Sequence, residues 1–299
     1  MVHAGRMNLA IAASADFADL DDGWLPLQVA LAEVGCHAEV AVWDDPQVDW
    51  GRFDLVAAMY TWGYVTQREA FLAWAESVEA VTGLANPAAH LRWNSDKTYL
   101  RELAASGIPV VPTTWARPGQ PWEPPAADYV IKPTVASGGL GAARFRAGGR
   151  EAADAHVGLL HAAGQTVMVQ PYQGSVDVGG ETALVFLGDR FSHAVTKSGL
   201  LAADVGEADR LWEREVITPA QAAPGARELA EIVMEAVVSR LGPTTYARVD
   251  LVDDEQGNPR VIEVELVEPS LFLAAAEGSA QRLADALRRQ AVVGRGRTI

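Results

Sequence analysis

Two short segments near the C-terminus constrain this chain more than any other feature. Tyr246-Ala247-Arg248-Val249-Asp250-Leu251-Val252 and Val261-Ile262-Glu263-Val264-Glu265-Leu266 alternate apolar with charged residues, and Asp253-Asp254-Glu255-Gln256-Gly257-Asn258-Pro259 separates them. Alternation of period two belongs to a strand, and the intervening residues are strong turn formers, so the pair predicts a β-hairpin. Side chains at i and i+2 share a face. Arg248 and Asp250 then lie together, as do Glu263 and Glu265, and pairing brings three carboxylates and one guanidinium onto one patch. Such charges are often a solvated sheet face, and for Arg248 and Asp250 alone that is the better account. For all four beside Val249, Leu251, Ile262 and Val264, a cation site accounts for more, because clustered carboxylates repel unless a cation holds them. Hard oxygen ligands suit Mg2+, with phosphate oxygens completing its shell.

The chain has 299 residues, 49% of them apolar, which is enough for two or three subdomains with their own cores. A formal net charge of −15 argues against general binding to nucleic acid or an anionic membrane, both of which need a positive field. An acidic protein can still bind a nucleotide through a few local cations and Mg2+. With Cys36 as its one cysteine, the chain cannot form an intrachain disulfide. The N-terminal residues are too weakly apolar for a secretory signal, and no stretch has the length a membrane span needs. The cytoplasm is therefore the expected location.

The order of elements predicts an α/β protein. Met7–Ala13, Ala38–Val42 and Leu55–Tyr60 read as strands, with helices over Leu25–Val34 and Gln67–Val81, an alternation that gives a parallel sheet with flanking helices. The connection Ser14–Asp19 has no glycine, so the dinucleotide fingerprint is absent and NAD is not expected. A helix is predicted over Ser95–Ala105, then a proline-rich linker over Arg117–Ala127. Strands at Tyr129–Lys132, Ala142–Arg146 and Val167–Pro171 enclose a helix over Glu151–Ala162. Glu181–Leu187 and Phe191–Lys197 pair through Gly188-Asp189. Ser198–Asp209 reads as a mobile loop, Ala220–Leu241 and Ser279–Val292 as helices.

Between the strands at 129 and 142 stands Lys132-Pro133-Thr134-Val135-Ala136-Ser137-Gly138-Gly139-Leu140-Gly141. Glycines let backbone N–H groups approach phosphate oxygens. The lysine precedes the glycines, so this is not a Walker loop, and a strand rather than a helix follows. A glycine-rich hairpin folding over a nucleotide fits better, although a lone glycine cluster is more often an ordinary flexible turn. Lys97, at the head of a predicted helix, and Lys197, at a strand end, are the other lysines at motif positions.

Taken together, these residues resemble the ATP-grasp superfamily of carboxylate–amine ligases. The elements that carry the likeness are Asp96-Lys97, Ile131-Lys132-Pro133, the Ser137–Gly141 loop, Val169-Gln170-Pro171-Tyr172, Arg248-Val249-Asp250 and Ile262-Glu263-Val264-Glu265. The resemblance implies a Rossmann-like unit over 1–92. It implies a linker helix and small subdomain with a glycine-rich lid over 93–180, and a C-terminal subdomain with the metal site over 181–299. It implies that Lys97 and Lys132 hold the ATP phosphates and that Ser137, Gly138, Gly139 and Gly141 form the lid. Gln170, Pro171 and Tyr172 would meet adenine, and Asp177 or Glu181 would face the ribose or the substrate. Asp250, Glu263 and Glu265 would ligate two Mg2+ ions, with Arg248 at the transferring phosphate and the tetrahedral oxyanion.

Within the superfamily the chain is most similar to a bacterial subgroup that includes the cycloserine-forming ligase acting on O-ureido-serine. That likeness rests on Thr61-Trp62-Gly63-Tyr64, Asn86-Pro87, Arg92-Trp93-Asn94-Ser95-Asp96-Lys97, Phe191–Lys197 and Glu265–Phe272. The subgroup carries Trp-Asp-Tyr where Trp62-Gly63-Tyr64 stands, so a carboxylate is missing from a loop expected to border the substrate. The implied chemistry is activation of a carboxylate on a small amino-acid-like substrate as an acyl phosphate, followed by C–N bond formation. Arg248, Lys197, Glu268 and His193 are the expected catalytic residues, Glu268 meeting the substrate ammonium or capping the chain that follows. A homodimer is the expected assembly. An intermolecular amino-acid ligase and a non-catalytic nucleotide-binding regulator are the alternatives.

Overall fold

In the computed structural model, residues 6–15, 22–198 and 215–295 are described. The first ninety residues form a parallel three-stranded sheet of order β2-β1-β3, from β1 (Met7–Ala13), β2 (Cys36–Val42) and β3 (Leu55–Tyr60). β1 and β3 are almost wholly buried because helices cover both faces, which is why they read as continuous apolar runs. On one face Phe71, Trp74 and Val78 of α2 (Arg68–Glu79) pack with Trp43 and Val56. On the other lie α1 (Trp24–Glu33) and, from the far end of the chain, α8 (Ser279–Arg295), whose Leu283 and Leu287 join Leu9, Leu27 and Leu55.

Of the expected helix Ser95–Ala105 only Tyr99–Ala105 is helical, as α4, and a helix that was not expected, α3 (Ala88–Asn94), precedes it. The break at 95–98 has a reason: the Lys97 amide donates to the Thr134 carbonyl at 2.8 Å instead of continuing a helical ladder. A four-stranded sheet of order β4-β7-β5-β6 follows, from β4 (Thr114–Ala116), β5 (Tyr129–Pro133), β6 (Ala143–Phe145) and β7 (Val167–Pro171). It packs on α5 (Arg150–Ala162) through Val157, Ile131 and Val167. The short α6 (Val176–Gly179) leads into a five-stranded antiparallel sheet of order β10-β9-β8-β11-β12. Its strands are β8 (Glu181–Leu187), β9 (Arg190–Ser198), β10 (Val216–Ala220), β11 (Tyr246–Asp253) and β12 (Pro259–Glu265), and α7 (Pro224–Leu241) covers one face through Leu229, Val233 and Val237. The helix expected from Ala220 starts at Pro224, since proline suits the first turn, and β10 takes the residues before it. The expected loop over Ser198–Asp209 lies, from residue 199, outside the described residues, as do residues 16–19 of the connection after β1. Among the described residues no helix is long and apolar enough to cross a membrane.

Candidate active site

The predicted hairpin forms, with Arg248 opposite Glu265 and Asp250 opposite Glu263. Val249, Leu251 and Val264 take the core face against α7, so the charged residues take the opposite face of the five-stranded sheet. Arg248 is buried and reads three groups. Its Nε and Nη2 donate to the two oxygens of Asp250 at 2.8 and 3.0 Å, Nη2 also pairs with Glu265, and Nη1 donates to the Ser270 carbonyl at 3.0 Å. Lys197, arriving from β9, binds Asp250 at 2.7 Å and Glu181 of β8 at 2.8 Å. Burial opposes charge on Lys197, but Asp250 and Glu181 outweigh it and hold the ammonium well above its usual range. Burial likewise opposes ionised Asp250, yet Arg248 and Lys197 pull its carboxyl below the ordinary carboxylate range.

Lys97 reaches the cluster from the non-helical turn between α3 and α4, 3.0 Å from Glu263 and 2.6 Å from the Ala136 carbonyl it donates to. Lys132 faces it from β5. The Lys132 ammonium makes no hydrogen bond or ion pair among the described residues, and burial lowers its pKa against the pull of Glu263. Glu268 is in the converse position. Its carboxylate is buried, also has no hydrogen bond or ion pair among the described residues, and is pushed well up by burial and by Glu265. Glu265 is raised to about 7 by burial and by Glu263 and Asp250, against the opposing Arg248. Negative charge is thus in surplus on the β12 side, and an unpaired cation faces it from β5. Among the described residues no three His, Cys, Asp or Glu side chains are grouped as a metal site, because Asp250, Glu263 and Glu265 are each turned to a lysine or arginine.

The residues expected to form a lid lie on the turn after β5. Gly138, Gly139 and Gly141 all have positive φ, and the Ser137 hydroxyl donates to the Trp62 carbonyl at 3.0 Å. Trp62 in turn donates its indole N–H to the Glu268 carbonyl at 3.1 Å, so one residue, through its backbone carbonyl and its side chain, links the glycine turn to the segment after β12. Tyr64 is a core residue, stacked on Phe71 with centroids 4.7 Å apart. The glycine between them has a local cause. Its amide donates to the Ser14 hydroxyl at 3.0 Å, and a Cβ at Gly63 would lie 2.8 Å from that oxygen. Ser14 occupies the space that a side chain at 63 needs.

Of the residues expected to meet adenine, Gln170 is buried and its amide donates to Thr113 at 2.9 Å, while the Tyr172 amide donates to the Asp128 carbonyl. Pro171 pairs with Tyr129 across β5 and β7. The Tyr172 hydroxyl donates to Asp177, and the Arg144 guanidinium stacks 3.5 Å from the Tyr172 ring centroid while bridging Asp128 and Asp177. His193 has both ring nitrogens engaged, Nε2 with the Leu271 carbonyl at 3.0 Å and Nδ1 with the Ser192 hydroxyl at 2.9 Å. It joins β9 to the segment that carries Glu268. Arg144 and Glu215 were not legible as site residues. Glu215 heads β10, and burial raises its pKa within the field of Lys197 and Arg248. Both stand alone in sequence, with no motif around them.

Residues 9–86 match the family model for the N-terminal domain of D-cycloserine synthetase DcsG. The cycloserine biosynthesis protein DcsG of Streptomyces lavendulae is 38% identical over 296 residues, covering 93% of this chain and 97% of that protein. The crystal structure of D-cycloserine synthetase DcsG superposes with a TM-score of 0.88 at 37% identity, over 95% of this chain and 99% of the other. D-alanine–D-alanine ligase from Bacillus anthracis, complexed with ATP, shares the fold at a TM-score of 0.68 and 12% identity, over 99% of this chain and all of that one. With 38% identity over nearly the whole of both chains and the same fold, the chain belongs to the D-cycloserine synthetase DcsG family of ATP-grasp ligases.

Proposed function

We propose that this enzyme uses ATP and Mg2+ to close O-ureido-D-serine into D-cycloserine, in the cytoplasm. The full-length likeness to D-cycloserine synthetase carries the substrate assignment. Two side chains without hydrogen-bond or ion-pair partners among the described residues, Lys132 and Glu268, fit it chemically: one suits a phosphate, the other an α-ammonium group.

The oxygen-only donor set and its surplus negative charge suit two Mg2+ ions, held by Asp250, Glu263 and Glu265 once these release their protein cations. Bound Mg2+ would neutralise charge on the transferring phosphate. Lys97 and Lys132 hold the phosphates of ATP. Gln170, Pro171 and Tyr172 meet adenine, and Asp177 or Glu181 the ribose or substrate. The substrate carboxylate attacks the γ-phosphorus, ADP leaves, and an acyl phosphate forms under the Ser137–Gly141 lid, which keeps water out. The ureido nitrogen bonded to oxygen then attacks the acyl carbon. The C–N bond forms, the C–O bond to phosphate breaks, and the proton leaves with phosphate. Arg248 faces the oxyanion of the tetrahedral state. Water removes the carbamoyl group as ammonia and carbon dioxide. Lys197 orients Asp250, and His193 holds the segment that carries Glu268. Ring closure within one bound molecule gains from proximity.

Purified enzyme with ATP, Mg2+ and O-ureido-D-serine alone should release phosphate and yield a product of cycloserine mass. Turnover that requires a second amino acid and gives a dipeptide would replace this reading with intermolecular ligation.

A further inference from the structure

β12 is an edge strand. Its outward backbone groups would be left unpaired and buried, a state proteins avoid. Among the described residues no strand of the sheet covers them. At one end the main chain before β4 does so, with Val111 donating to the Val261 carbonyl and Val261 to the Pro109 carbonyl, each at 2.9 Å. Beyond that point side chains take over. The Tyr99 hydroxyl donates to the Val264 carbonyl at 2.7 Å and accepts from the Val264 amide at 2.8 Å. Asn94 donates to the same carbonyl at 2.7 Å and accepts from the Leu266 amide at 2.6 Å. Asn86 donates to the Leu266 carbonyl at 2.7 Å and to the Tyr246 carbonyl at 2.9 Å, and accepts from the Thr245 amide at 2.8 Å. All three side chains are buried.

The residues so held are significant. Val264 lies between Glu263 and Glu265, Leu266 follows Glu265, and Tyr246 lies two positions before Arg248. Lys97, which pairs with Glu263, sits in the turn between Asn94 and Tyr99. One segment therefore fixes the backbone of the carboxylate strand and one of its charged partners together. We infer that Asn86, Asn94 and Tyr99 are positioning residues that set the Glu263 and Glu265 carboxylates for a divalent cation. This rests on the assignment of those carboxylates as its ligands. A strand free to shift along its edge would carry both carboxylates with it, so these bonds act on the cation through the backbone, as outer-shell partners do.

The test uses the full chain. Tyr99→Phe keeps the ring in the core and loses the hydroxyl alone, and Asn94→Ala removes the second link. Mn2+ affinity of the enzyme–ADP complex is read from the EPR signal of free Mn2+, and ADP affinity without metal by calorimetry. Each variant should weaken Mn2+ binding about ten-fold and leave metal-free ADP affinity unchanged. A lower melting temperature with unaltered Mn2+ affinity in Tyr99→Phe would mean that the bonds are merely structural and would overturn the inference. Glu263→Gln is measured alongside. If it weakens Mn2+ binding and Tyr99→Phe does not, positioning alone fails. If neither does, the ligand assignment fails with it.

Discussion

Gly180 offers the most stringent check on the geometry of the charge cluster. It joins α6 to β8 with φ of 70° and ψ of −169°, a region that only glycine occupies without strain. A Cβ there would lie 2.4 Å from the Lys197 carbonyl oxygen, 2.8 Å from Thr196 Cγ2 and 3.1 Å from the Lys197 carbonyl carbon. The obstacle is main chain of β9, bonded on both sides by β8 and β10, so it cannot yield as a flexible side chain would. Backbone strain costs about 1–3 kcal/mol, and overpacking adds about 1–3 kcal/mol more. Gly180→Ala should therefore destabilise by about 4 kcal/mol, which for a chain of this size lowers the melting temperature by roughly 6 °C. Gly179→Ala is the control, because nothing lies within 4 Å of its Cβ and its φ is not positive. It should be neutral or stabilising by less than about 1 kcal/mol. Differential scanning fluorimetry of the two variants decides. If they melt together, the close approach of the α6–β8 turn to β9 is wrong. Turnover should fall in Gly180→Ala as well, since Glu181 is the next residue and pairs with Lys197.

Three further outcomes are expected. Lys132→Met keeps the apolar stem and loses the charge; calorimetry should show ATP affinity about ten-fold weaker, the range for one charged hydrogen bond, and unchanged affinity would remove Lys132 from the phosphate site. Glu268→Gln should cost about 2 kcal/mol in kcat/KM for O-ureido-D-serine, and steady-state kinetics indistinguishable from the parent would deny it the ammonium. Burial lowers the pKa of His193. Below about pH 6.5 the unfolded chain then takes up a proton that the folded chain refuses, and the contribution of His193 to stability fades as pH falls. The difference in melting temperature between parent and His193→Gln should shrink from pH 7.5 to pH 5, and a difference independent of pH would contradict the buried neutral ring.

Much of this was legible because it is local. Val249, Val264 and their charged alternates fix both the hairpin and its facing, and β1, β3 and β7 have the bounds that their apolar runs suggest. What the chain did not disclose depends on partners distant in sequence. The break at 95–98 follows from a carbonyl at 134. β10 is a strand because β9 offers it an edge. Arg248 could be placed beside Asp250 from the strand pattern, but Lys197, the other cation on that carboxylate, comes from β9 and no motif near Asp250 marks it. Gly63 reads as a lost acid until Ser14 is seen in its space.

The return of α8 to the first sheet bears on the order in which the protein can be made. Leu283, Leu287 and Ala291 complete a core begun by Leu9, Ile11 and Leu27, and Val185 and Tyr246 contribute to the same core. The first three strands leave the ribosome early, but one face of their sheet is covered only in part, by Leu27, Ala30 and Leu31 of α1, until α8 has been synthesised. At about 5–20 residues per second that delay is tens of seconds. During it part of the apolar face around Leu9 and Leu55 stays uncovered, so the core of the N-terminal sheet is completed only when the chain is nearly finished.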